Sequence, residues 1–479
     1  VAEKPLHDLS IAEAGAAMRS GGLTSSALTE HSLARIDLLN PKINAFVTVT
    51  AERARTDAAA ADADFARGVD RGPLQGIPYG LKDIYDTAGI QTACHSKLRL
   101  DHVPQKDSAV AEKLAAQGAV LLGKLTTNEF ALGNPDPDAP FPPALNPWNI
   151  DYSPGGSSSG SGAAVAAGLV RLAMGSDTGA SIRGPASFCG IIGLKPTFGL
   201  ISRRGVFPLS PSLDHCGPLT KSVEDAALAM EAVAGHDPHD PASARVPPPQ
   251  FRGLLNAGVK GLRIGVPRHF YRGAKGLSDE ADAAIERSLR KLRDLGAIVS
   301  DIVLPDYASF VACGRVIMYT EAFAIHEKDF RNRPRDFGFS TYMRMIMGAF
   351  TTGADMVQAL RLRRELTEAV NRQFRNCDAI VTATALGPAP KMNLPGDWSM
   401  PSDSPMQCIP FNVTGHPAIA VPTGFSSSGL PLALQIVAKH FDEPMVLRIG
   451  AALEKENPVL SRWPDLAVRR EERGAAPVR

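Results

Sequence analysis

Two short stretches of the chain concentrate the groups that acyl chemistry needs. Residues 153–162 read Ser-Pro-Gly-Gly-Ser-Ser-Ser-Gly-Ser-Gly and lead into an alanine-rich run ending at Gly168. The alanine run is a good helix. The Gly/Ser run suits the interior of neither a helix nor a strand, so it reads as a tight loop at a helix N-terminus. Such a loop turns backbone N–H groups and hydroxyls toward an anion or a polar reaction centre. A flexible linker does not usually run straight into an apolar helix. A phosphate-binding loop would follow a strand and end in Lys-Ser/Thr, and neither feature is present. Gly156 to Gly160 matches G-x-S-x-G with Ser158 at its centre. The residues ahead of it, Asn146 to Pro154, read as loop, whereas a nucleophile elbow needs an apolar strand there. A serine loop of another kind is the reading that fits.

The second stretch, Gly175 to Pro185, gathers small residues around Ser181, with Asp177 before it and Arg183 after it. Thr178, Gly179 and Ala180 let the backbone turn its N–H groups toward one point, which is what an oxyanion hole requires. A nucleophilic serine also needs a base. The nearest downstream histidine, His215, reads as a structural or surface residue. Lys82 is the alternative. It sits in Gly76 to Ile84, an apolar strand-like segment punctuated by glycines, where a lysine is rare unless its charge is managed. Desolvation would lower its pKa and leave a neutral amine able to accept a proton. The competing reading is a lysine whose stem is buried while its head reaches water.

These residues need elements to hold them. Residues 8–60 recur in apolar character at helical spacing, with Ser10 and either Ser25 or Ser26 as N-caps. From Gly76 the pattern becomes helix–glycine–strand. Ala111 to Gln117 precedes Gly118 to Leu122, and Ala283 to Leu295 precedes Gly296 to Val303, with each glycine at a helix C′ position. Short apolar runs follow at 262–266, 379–383, 418–422 and 432–437. Together they predict an α/β fold, a large mixed or parallel sheet sandwiched between helices. Three stretches read as loops: the proline-rich 133–147, 236–250, and 391–405. They are expected to form pocket walls or surface insertions. Residues 310–376 read as a helical insert on the substrate side. Its Met343, Met345, Met347 and Phe350 serve either as core or as an adaptable pocket wall. The organisation expected is an N-terminal helical region over 1–70 packed on a single catalytic domain over 71–472, with a frayed tail over 473–479.

Composition narrows the function classes. Lys plus Arg is 51 against Asp plus Glu 50, so no basic surface for nucleic acid is expected. The opening Val-Ala-Glu-Lys-Pro lacks signal-peptide character, and the sequence shows no uninterrupted apolar run of membrane-spanning length; a cytoplasmic protein without a membrane partner is expected. Six scattered cysteines read as buried free thiols in a reducing compartment. Cys189, near Ser181 but among apolar neighbours, reads as packing. His236 and His239, in a proline loop, read as exposed rather than metal-binding. Arg361, Arg363 and Arg364 read as a solvated helix face.

Taken together, the segments "GIPYGLKDIYDTAG", "GGSSSGSGAAVAAG", "GSDTGASIRGPASFCGIIGLKPTFG", "DHCGPLTKSVEDAA", "PFNVTGHPAIAVPTGF" and "GLPLALQIVAKHFDE" resemble the amidase signature family over nearly the whole chain. The resemblance implies Ser181 as the acylated nucleophile, Ser157 in a cis peptide as proton relay, and Lys82 as the base at the end of the relay. It implies an oxyanion hole from the backbone of Thr178, Gly179, Ala180 and Ser181. Asp177 and Arg183 would brace the loop as an ion pair, with Ser158 in support, and no metal or organic cofactor is implied. Two features depart from the family pattern: Ala180 stands where a glycine is common, and 134–144 is proline-rich where Asn, Ser and Gly usually dominate.

The expected activity is hydrolysis of a small or medium neutral amide, extending to aryl amides, esters or carbamates, by a monomer or homodimer acting on a small-molecule substrate. The alternative is the glutamine-hydrolysing component of a tRNA-dependent amidotransferase, which works inside a complex. An inactive scaffold that uses the fold for binding is the third reading, and the filled triad positions speak against it.

Overall fold

The computed structural model describes residues 4–136, 138–392, 405–455 and 457–466. The 473–479 tail and most of the 391–405 loop, residues 393–404, lie outside the described residues.

Among the described residues, eleven strands form one sheet. They are β1 (Phe46–Val49), β2 (Pro78–Lys82), β3 (Val120–Leu125), β4 (Leu172–Asp177), β5 (Ile192–Lys195), β6 (His215–Thr220), β7 (Arg263–Val266), β8 (Ile298–Asp301), β9 (Ala379–Ala383), β10 (Ala418–Phe425) and β11 (Pro431–Val437). Their order across the sheet is β1-β3-β2-β4-β6-β5-β10-β11-β9-β7-β8. β2 runs parallel to β3 and β4, and β7 parallel to β8 and β9. The other neighbouring pairs are antiparallel. Successive strand residues face opposite sides, which divides the core into two layers. Leu121, Leu172, Met174, Ile419 and Val421 pack into one layer, and Val120, Leu122, Ala173 and Ala420 into the other. Helices cover both faces, so the fold is the α/β sandwich around a mixed sheet that the sequence predicts.

Local signals place the elements with two corrections. Ser10 caps the helix Ile11–Arg19 through a capping box with Glu13. The next helix, Ser25–Ile43, is capped by Thr24 rather than by Ser25 or Ser26. The N–H groups of Ser25 and Ser26 go instead to the Asp62 carboxylate of the following helix, Ala51–Ala66. The N-terminal region is also not wholly helical: Phe46–Val49 is the edge strand β1, antiparallel to β3. Gly118 and Gly296 terminate their helices at φ of +74° and +90°, the left-handed conformation expected of a C′ glycine.

The helical insert is present as Tyr307–Asn332, Phe339–Met345 and Gly353–Gln373. By length and composition alone Tyr307–Asn332 passes for a membrane span. Here it packs on Gly353–Gln373 and supplies a cavity wall. Met345 is core, whereas Met343, Met347 and Phe350 are exposed. Arg363 corrects the reading of a solvated arginine face. It is part-buried and donates to the carbonyls of Val413 at 2.7 Å and Ser212 at 2.9 Å, linking the insert to two other segments.

One close approach sets the serine loop in place. The helix Ser159–Ala166 is buried along its whole length. A Cβ at Gly160 would lie 2.3 Å from the Ala45 carbonyl oxygen and 2.4 Å from the Thr126 nitrogen, both backbone atoms. Only glycine lets the helix settle this closely against the end of β3 and carry residues 153–158 over the sheet. Gly160→Ala is expected to cost about 1–3 kcal/mol of stability through overpacking, read as a lowered urea midpoint. An unchanged midpoint would show that the backbone yields without cost.

Candidate active site

Strands β2 and β4 are parallel neighbours, with Leu81 opposite Met174, so their carboxyl ends emerge together at one edge. That edge is where open α/β sheets bind ligands. Lys82 ends β2. Asp177 ends β4, and the chain then turns through Thr178, Gly179, Ala180 and Ser181 into the helix Arg183–Cys189. Lys82 is fully buried, and its Nζ donates to Ser157 Oγ at 2.7 Å and to Ser176 Oγ at 2.9 Å. Ser157 arrives from the Gly/Ser loop and follows a cis peptide bond from Gly156. Ser157 and all four turn residues, including the half-buried Ser181, line one cavity of about 1400 Å³.

The structure therefore brings Lys82, Ser157, Ser181 and the Thr178–Ser181 turn to one place. Ser158, the centre of the G-x-S-x-G match, is buried and bonded to the backbone of β4: its Oγ donates to the Ser176 carbonyl and accepts from the Ser176 N–H, each at 3.2 Å. Its own N–H donates to the Ser181 carbonyl at 3.3 Å, which ties the two serine loops together. Cys189 and His215 take no part in this constellation. Burial pushes the Cys189 thiol up, and its Sγ donates to the Pro154 carbonyl. His215 is buried well below its ordinary pKa, with Nδ1 donating to the Leu213 carbonyl at 2.7 Å. In the 236–240 loop, Asp237 and Asp240 are occupied by Ser202, Arg204 and Arg203, and no cluster able to hold a metal ion occurs among the described residues.

Burial pushes the Lys82 amine down to about 7, against the pull of the Asp214 and Asp177 carboxylates. A neutral amine within 2.7 Å of one hydroxyl can take a proton through it. The neighbouring Lys124 is held apart from this role. Its Nζ donates to the Tyr85 carbonyl and to Thr92 Oγ1, both at 2.6 Å, and faces Asp83 at 3.5 Å.

Substrate-side walls come from distant segments. Arg315, Met318 and Tyr319 of the helix Tyr307–Asn332 face the cavity together with Glu129 and Asp136. Glu129 accepts from the Gly338 N–H at 2.8 Å and Asp136 from the Phe339 N–H at 2.7 Å, so two carboxylates anchor the start of the insert's short helix.

The turn bearing Ser181 is braced from below. Arg183 Nε donates to Asp177 Oδ2 and one terminal nitrogen donates to Oδ1, each at 3.0 Å, with both side chains fully buried. The Asp177 carboxylate also accepts the N–H groups of Ile182 and Arg183. Burial alone would raise this carboxyl; the Arg183 charge, with hydrogen bonds from Arg183 and Asn412, overcomes it and holds the group well below the usual range. Arg183 donates further to Asn412 Oδ1 at 2.6 Å, Gln435 Oε1 at 2.9 Å and the Cys408 carbonyl at 2.9 Å.

Sequence reasoning found the ion pair and missed Ser176, Asn412 and Gln435. Gln435 did carry a signal, as a lone polar residue in the buried apolar strand β11. Arg183→Leu would strand Asp177 as a buried unpaired charge. It is expected to cost about 3–5 kcal/mol in a denaturant titration; a loss below about 1 kcal/mol would mean that Asn412 and the turn amides suffice.

Comparison with known proteins shows the family. The family model described as Amidase matches residues 27–447. A curated relative from Roseiflexus sp. (strain RS-1), named as the A subunit of glutamyl-tRNA(Gln) amidotransferase, is 37% identical over 97% of this chain and 99% of its own. A solved structure described as an unexpected vestigial protein complex that reveals the origins of an s-triazine catabolic enzyme superposes with a TM-score of 0.88, at 36% identity over 94% of this chain and 99% of that one. A bacterial aryl acylamidase of the amidase signature family superposes at 0.87, with 26% identity over 96% and 99% of the two chains. Carrying both serine loops and the lysine on the same sheet edge, the chain belongs to the amidase signature family of hydrolases acting on carbon–nitrogen bonds.

Proposed function

We propose that the chain releases ammonia from the side-chain carboxamide of glutamine, as the hydrolytic component of a tRNA-dependent amidotransferase assembly. The observation that carries this reading is end-to-end similarity to the curated amidotransferase component from Roseiflexus, 99% of which is covered. The cavity supports it. Arg315, Arg344, Glu129 and Asp136 all line it and give it both charge signs, as an α-amino acid's carboxylate and ammonium require.

The chemistry proposed is acyl transfer to Ser181. Neutral Lys82 takes the Ser157 proton as Ser157 takes that of Ser181. Ser181 Oγ attacks the amide carbon, and the backbone N–H groups of the Thr178–Ser181 turn receive the developing oxyanion. The relay returns the proton to the leaving nitrogen, which a poor amine leaving group needs. Water then enters by the same route and frees the acid. Asp177 and Arg183 hold the turn without touching the reacting atoms.

A second reading, a free-standing amidase of larger neutral or aryl amides, is favoured by the cavity's size. At about 1400 Å³ it exceeds what glutamine fills, and Tyr307, Met318 and Met343 give it apolar and aromatic walls. The likeness to the aryl acylamidase points the same way.

A substrate panel separates the two: glutamine, anilides, aliphatic amides, p-nitrophenyl esters and aryl carbamates, offered to the purified chain. The glutamine reading expects ammonia from glutamine and little turnover of anilides; vigorous anilide hydrolysis with glutamine untouched would replace it with the second reading. Ser181→Ala is expected to abolish turnover and fluorophosphonate labelling. Lys82→Ala is expected to cost an amide about 10²- to 10⁴-fold in kcat and an activated ester much less, because the ester's leaving group needs less protonation. Because the working amine is uncharged and its pKa is pushed down to about 7, kcat/KM should rise with pH up to about 7 and then level off. A profile still climbing toward about pH 10, the range of an ordinary lysine, would mean that burial does not depress Lys82.

A further inference from the structure

Asp214 precedes β6 and stands outside the triad and its brace, yet its carboxylate meets the oxyanion turn. Oδ1 accepts from Thr178 Oγ1 at 2.6 Å. Oδ2 accepts the N–H groups of Leu209 at 2.9 Å and Ser210 at 3.0 Å. Thr178 is the first residue of the turn and is buried, so its hydroxyl needs a partner inside the protein. A 2.6 Å bond to a carboxylate is of the strong, charge-assisted kind. It fixes the Thr178 rotamer and, through it, the first peptide of the turn.

The other side of the carboxylate reaches the substrate wall. Leu209 lines the cavity. Ser210 Oγ donates to Glu321 Oε2 at 2.5 Å, and the Ser212 N–H donates to the same oxygen at 3.1 Å. Glu321 belongs to the helix Tyr307–Asn332, which places Arg315 and Met318 in the cavity. A single carboxylate thus connects the backbone that would receive the oxyanion with the helix that faces the substrate.

We infer that Asp214 is a positioning residue that locks the oxyanion turn through Thr178 and ties it to the Leu209–Ser210 wall. The inference goes beyond the choice of substrate: it needs only acyl transfer at Ser181 and stands whether glutamine or an anilide is cleaved. Its effect lies in the transition state. A loosened turn still binds the planar amide, but its N–H groups no longer converge on the tetrahedral oxygen.

Thr178→Val is nearly isosteric and removes the hydroxyl while keeping the Asp214 charge. On the best substrate of the panel it is expected to lower kcat about 10- to 100-fold with KM little changed, as small displacements at reacting centres do. A trifluoromethyl ketone that forms a tetrahedral adduct on Ser181 should weaken by the same factor, whereas the product acid, a ground-state ligand, should bind as before. Thr178→Ser should recover most of the loss. Asp214→Ala should act in the same direction, because it removes the acceptor of the Thr178 hydroxyl and of the Leu209 and Ser210 N–H groups. If that variant does not fold, the Thr178 pair decides alone. Thr178→Val with kcat within about twofold of the parent, or with KM rising and product affinity falling in step with the loss of kcat, overturns the inference.

Discussion

The proposed relay depends on keeping a primary amine uncharged inside a protein. Among the described residues, the hydrogen-bond partners found for Lys82 Nζ are two hydroxyls, those of Ser157 and Ser176, and no carboxylate. Burial drives the proton off, and carboxylates close enough would put it back. Asp214 and Asp177 are two such carboxylates, and the charge of Asp177 is met by a two-point contact with Arg183. Lys124, one strand away, shows the opposite arrangement. It keeps a carboxylate, Asp83, in reach, and the two buried groups temper each other.

That electrostatic arrangement spans the sheet. Lys82, Asp177 and Arg183 come from the half of the sheet built around β2 and β4. Asn412 and Gln435, which complete the guanidinium's bonds, come from the half containing β10 and β11. A buried ion pair pays heavily for desolvation and persists when its remaining hydrogen bonds are filled. The serine turn is thus a local sequence feature whose brace draws hydrogen bonds from both halves of the sheet.

How much of this is legible from residues follows the same division. Lys82, the Gly/Ser loop and the 175–185 turn stand out locally, because a lysine in an apolar strand and glycine–serine clusters are unusual on composition alone. The helix–glycine–strand units ending at Gly118 and Gly296 are equally readable, since a C′ glycine is a local backbone requirement. The missed elements depend on distant partners. Four residues, Phe46–Val49, are too short to signal a strand between helices until β3 pairs with them. Thr24 displaces the serines as cap because Asp62, far along the chain, satisfies their N–H groups. Arg363 reads as solvated because helical spacing does not report the carbonyls of Val413 and Ser212 above it.

The groups proposed to react all lie between residues 82 and 181, whereas much of the cavity wall is drawn from residues 307–344, more than a hundred positions later. The two stretches are nonetheless coupled: Glu321, on the wall's long helix, holds Ser210, and Ser210 bonds the carboxylate that holds Thr178, so the wall can vary freely at an exposed position such as Met343 but not at Glu321.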